Sequence, residues 1–107
     1  LAAWLIRGGH SWSNPKAAML FMIIEHFCGG DPQPVYARFR EQGRLAPPEL
    51  QYVNSWVTED LTRCYQVMES PDRARLEEWM RAWADLVDFE VIPVLTSPEA
   101  AARVLER

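Results

Sequence analysis

Few residues in this chain have the type and spacing for chemistry, and they fall mainly in two short stretches. Glu25 and His26 stand side by side near the end of an apolar run, Leu20 to Phe27. Successive side chains of a strand point to opposite faces, so this carboxylate and this imidazole cannot act together on one substrate. His26 suits a general base or an axial haem ligand only if it faces a cavity without a partner. Held by a carbonyl or carboxylate, it is structural. Glu25 inside a cavity must be paired or protonated. Glu90, near the start of a later apolar run, is a further candidate carboxyl, with a solvated edge as its plain alternative.

The second stretch, Leu50 to Glu69, reads as two strands folded back around an acidic turn flanked by threonines. Strict alternation puts Tyr52, Asn54 and Trp56 on one face and Val53, Ser55 and Val57 on the other. An amide between two aromatics suits a ligand wall. On the following strand Cys64, Gln66 and Met68 share a face. A central-strand amide such as Gln66 needs a dedicated partner, and Asn54 is the nearest comparable group. These two can bind each other, a water or a ligand carbonyl, and Tyr52, Asn54, Trp56, Gln66 and Met68 form the candidate ligand-binding set. Cys64 as a nucleophile would need a nearby base or helix N-terminus, and the sequence supplies none. No His, Cys or carboxylate set has metal-ligand spacing, and neither a glycine-rich phosphate loop nor a serine-hydrolase elbow occurs. No metal or cofactor is expected.

With 107 residues the chain holds one domain, small enough that a partner subunit would help it. A net charge of −4 and a pI near 5.1 argue against a nucleic-acid surface. No apolar run reaches the roughly 20 residues that a bilayer-spanning helix needs. Two scattered cysteines, Cys28 and Cys64, read as reduced thiols, and a cytoplasmic protein is expected. Residues 1–18 differ from the rest: they open on Leu1, carry turn formers without a sustained period, and hold basic but no acidic side chains. They are expected to be an extension from an over-extended reading frame, with the domain at 19–107.

Within that domain, Leu20–Phe27 is apolar on both faces until Glu25, as in a central strand. Asp31-Pro32 opens a helix whose buried stripe is Val35, Tyr36 and Phe39, and Gly43 stops it. After the hairpin, Ser70-Pro71-Asp72 opens a second helix over about 71–86, with Leu76, Trp79, Met80, Trp83 and Val87 at helical spacing. Phe89–Leu95 is a fourth strand, and Pro93 assigns it to an edge. Ser97-Pro98-Glu99 begins a short terminal helix. The order β-α-β-β-α-β is the ferredoxin-like split βαβ arrangement, an α+β fold with a four-stranded antiparallel sheet. Two helices cover only one face of such a sheet. The bare face, with Tyr52, Trp56 and Met68, then invites a second subunit and a cavity between the two sheets.

The segments Met19–Phe27, Val35–Arg44, Tyr52–Val57, Arg63–Glu69 and Asp88–Val94 resemble a bacterial domain-of-unknown-function family, number 3303. The resemblance covers Met19 to about Val104 and brings no established activity. It implies a place in the dimeric α+β barrel superfamily, whose members include cofactor-free and haem-dependent monooxygenases and isomerases. Two readings follow. One is a homodimer that binds a small molecule, aromatic ligands foremost, in a cavity on the sheet face, as in cofactor-independent monooxygenases; this rests on fold-level analogy. The other is a non-enzymatic dimerisation or protein-interaction module. Neither takes nucleic acid or membrane as a partner.

Overall fold

The computed structural model describes residues 19–106, so the expectations for residues 1–18 lie outside the described residues. The elements are β1 (Met19–Phe27), α1 (Gln33–Gln42), β2 (Gln51–Val57), β3 (Arg63–Ser70), α2 (Arg73–Trp83), β4 (Val87–Val94) and α3 (Ser97–Leu105). The strands form one antiparallel sheet in the order β2-β3-β1-β4, the ferredoxin-like arrangement with β1 and β3 central. Pro93 lies on edge strand β4, where its missing N–H breaks no interior ladder.

Local chemistry sets the helix ends. Asp31 Oδ1 accepts the Gln33 N–H at 3.0 Å ahead of α1. Gly43, at φ 74°, ends that helix by donating its N–H to Phe39 O at 2.8 Å. Asp72 caps α2 through the Arg75 N–H at 3.0 Å. The terminal helix takes Thr96 as its cap, one residue ahead of Ser97, in a capping box with Glu99. Val87, which helical spacing placed on the stripe of α2, instead begins β4 and is buried there.

The core lies between the sheet and the two long helices. Phe21, Ile23 and Phe27 of β1 meet Leu76, Trp79 and Trp83 of α2 across it. The contribution of α1 is narrower than its spacing suggests. Only Val35 is buried, whereas Tyr36 and Phe39 remain 48% and 43% exposed. The helix is held sideways instead: Arg38 donates to both carboxylate oxygens of Asp85, at 2.8 and 2.7 Å, and to the Ala82 carbonyl at 3.0 Å. A helix that buries one residue and is tethered at its flank leaves space beneath it.

The hairpin departs from simple alternation. Ser55 pairs with Gln66 and Asn54 with Val67, but Tyr52 pairs with Met68, so Val53 is an extra residue in β2. This bulge turns Tyr52 onto the helix-covered face and leaves Asn54 and Trp56 on the other. The expected Tyr52–Asn54–Trp56 face is therefore corrected. Met68 is also on the helix side and fully buried, not on the bare face. In the connecting turn the Asp60 carboxylate accepts from the hydroxyls of Thr58 and Thr62, each at 2.7 Å, which fixes Leu61 at φ 65°.

Beyond the helices, the second sheet face carries Met22, Ile24, Tyr65, Val67, Trp56 and Ile92, the last two 56% and 45% exposed. The terminal helix buries none of its residues. Leu76 is the fully buried anchor of α2, so Leu76→Ala is expected to cost about 2–5 kcal/mol in urea unfolding. A loss below about 0.5 kcal/mol would contradict this packing.

Candidate functional site

A cavity of about 220 Å³ lies under α1, inside one chain and on the helix-covered face of the sheet. Its floor is Glu25 and Phe27 of β1, Ser55 and Val57 of β2, and Cys64 and Gln66 of β3. Trp79 and Trp83 of α2 form one wall, and Val35, Tyr36 and Phe39 of α1 form the roof. Since Tyr36 and Phe39 are half exposed, the cavity opens between them. Arg44 closes the remaining side.

Arg44 is held at its backbone and along its side chain. The indole N–H groups of Trp79 and Trp83 both donate to its carbonyl oxygen, at 3.1 and 2.9 Å. A carbonyl has two lone pairs, and both are used here. Its guanidinium lies 3.8 Å over the Tyr52 ring and 5.2 Å from the centre of Phe39, and its Nη1 donates to Gln66 Oε1 at 3.1 Å. The bulge is what makes this possible, because it brings Tyr52 to the helix side. Gln66 is satisfied at both ends, its Nε2 reaching the Met68 sulfur at 3.4 Å. The Tyr52 and Ser55 hydroxyls bond each other at 2.7 Å.

Glu25 differs from these groups. It is 8% exposed, lines the cavity and has no hydrogen-bond or ion-pair partner among the described residues. Burial pushes its carboxyl up to about 7, with the Arg44 charge pulling the other way. Burial, and then the neighbouring Glu25 carboxylate, pushes the Cys64 thiol up to about 12. Such a thiol is no nucleophile at neutral pH. The Tyr36 hydroxyl is raised by burial first, then by Cys64 and Glu25.

The sequence candidates are thus divided by the sheet. Glu25 and Gln66 line the cavity, Tyr52 and Met68 buttress Arg44 and Gln66 from behind, and Asn54 and Trp56 lie on the opposite face. Asn54 Oδ1 accepts the Ser55 N–H at 2.8 Å, serving the bulge. The Asn54–Gln66 pair, one of the alternatives open from sequence, does not form, because the two amides lie on different faces of the sheet. His26 looks away from the cavity, and its Nε2 lies 2.7 Å from Glu90 Oε1. It fails the unpartnered condition for a general base or haem ligand. Sequence does not mark Arg44: it lies in a proline-rich loop with no period, and strict alternation turns Tyr52 to the opposite face.

Among the described residues no group of His, Cys, Asp and Glu could hold a metal ion, and no helix is long and apolar enough to cross a membrane. The family model described as Domain of unknown function (DUF3303) matches residues 19–107. The chain belongs to this family. No curated protein and no solved structure matches it.

The raised Glu25 carboxyl has a stability consequence. Below about pH 4.5 the folded and unfolded chains both keep the proton. As pH rises from there to about 7, the unfolded chain loses it while the folded one retains it. Stability therefore falls with pH across that window, by on the order of 3 kcal/mol, and levels off above it. Glu25→Gln should abolish this slope, so the stability gap between variant and wild type widens from pH 5 to pH 8 in denaturant titrations. Parallel curves would contradict the assignment.

Proposed function

We propose that this DUF3303 domain binds a small, ring-containing molecule in the cavity between its sheet and its two long helices. The observation that carries this reading is Glu25, a buried carboxyl without a partner among the described residues, in an aromatic-walled space that opens to solvent. Leaving such a group unsatisfied costs stability, and a ligand that satisfies it recovers that cost. A carboxyl that titrates near neutrality also suits general acid–base work in a reaction needing no cofactor. That is the form in which a monooxygenase-like activity would use this site.

The second sheet face supports a homodimer of the dimeric α+β barrel type. Its exposed apolar side chains, Trp56 and Ile92 foremost, form a patch that a twofold axis can set against its own copy. Two free cysteines, one of them exposed, favour a reducing, cytoplasmic setting in a bacterial cell. In a thermal-shift panel of aromatic and quinone-like metabolites and haem, one aromatic class should stabilise the protein. At a hundredfold over its dissociation constant that gain is about 2.7 kcal/mol. No shift from any class would return the domain to an interaction module. Light scattering should report a dimer that Trp56→Glu converts to monomer, and a monomeric wild type would sink the sheet-to-sheet assembly.

A further inference from the structure

The polar groups around the cavity are not equally available. Gln66 is committed to Arg44 and to the Met68 sulfur, and the Ser55 hydroxyl is engaged by Tyr52. The Cys64 thiol keeps its proton at neutral pH. That leaves two groups. Among the described residues Glu25 has no hydrogen-bond or ion-pair partner and Arg44 takes part in no ion pair, with one of its five N–H donors spent on Gln66. Both border the same space.

Their complement follows from their chemistry. A ligand ammonium would meet Glu25 but would be set against the fixed guanidinium. A neutral ring would leave the guanidinium without a counter-charge. A carboxylate satisfies both: it accepts paired N–H donors from Arg44, and it accepts a hydrogen bond from Glu25 when that carboxyl carries a proton. Size narrows the class further. About 220 Å³ falls below the roughly 300–1,000 Å³ of sites for drug-sized ligands, so one ring fills it, against Trp79, Trp83 and Phe39.

We infer that the cavity takes up a single-ring aromatic carboxylate together with one proton from solvent, Arg44 pairing with the anion and Glu25 donating the captured proton to it. This inference rests on the cavity being a small-molecule site. The groups that face Glu25 are Tyr36 from α1, Arg44 from the loop after α1, and Cys64 from β3. The cavity-lining residues of β2, β4 and α2 are Ser55, Val57, Val87, Trp79 and Trp83, none of which titrates near neutrality. Glu25 is thus the group whose proton the binding would follow.

Isothermal titration of the full chain with benzoate, benzamide and benzylamine, at pH 6 and pH 8, tests this. With Glu25 half-protonated at about pH 7, benzoate should bind roughly tenfold more weakly at pH 8 than at pH 6. At pH 8, buffers of different ionisation enthalpy should reveal uptake of close to one proton. Glu25→Gln should remove the pH dependence, and Arg44→Met should abolish benzoate binding while Arg44→Lys retains part of it. The wild-type measurement needs no variant to fold. Benzoate affinity that does not change with pH, or a preference for benzylamine or benzamide, would overturn the proton-linked carboxylate site while leaving the cavity as a ligand site. If none of the three binds, both readings fall.

Discussion

Two tryptophan N–H groups converge on one carbonyl oxygen, that of Arg44, and the site depends on that contact. The bonds tie the loop after α1 to α2, so the helix roof and its aromatic wall are positioned by the same atom. The neighbouring Leu45 adopts φ 62°, a conformation uncommon for a residue with a side chain, and surrounding structure must hold it there. With the backbone fixed, the guanidinium can lie on Tyr52 and reach Gln66 without further ordering of the loop. Preorganisation of this kind lowers the entropy that a ligand has to overcome.

The β2 bulge is the second constraint, and it separates two tasks across one sheet. By turning Tyr52 inward it gives Arg44 a stacking partner, and by leaving Asn54 and Trp56 outward it keeps an apolar, exposed second face. Without the extra residue, Tyr52 would face outward and Arg44 would lose its support. The cavity is therefore built within one chain, whereas the outer face is free to meet another.

Much of the architecture was legible in the sequence, because the signals were local. Asp31, Gly43 and Asp72 mark helix ends by side-chain and backbone hydrogen bonds that need no tertiary context. The β-α-β-β-α-β element order implied β1 and β3 as central strands, and the two-sided apolar character of β1 and the Pro93 edge signal agreed with it. The site was less legible. Alternation assumes one residue per pleat, and the single inserted Val53 inverted the face of Tyr52. Tyr36 and Phe39 fit a helical stripe but are half exposed, because α1 buries only Val35 and is held at its flank by Asp85. Glu25 and His26 were correctly expected on opposite faces, yet which one would be buried depended on where the helices packed.

Everything proposed for the cavity depends on Glu25, without a partner among the described residues, exchanging its proton near neutrality. Carbon-13 NMR titration of the glutamate carboxyls, with Glu25→Gln assigning the resonance, tests it most directly. The account predicts a midpoint near 7 for Glu25. A midpoint near the ordinary 4.5 would mean that the carboxyl is solvated or paired, and would contradict it.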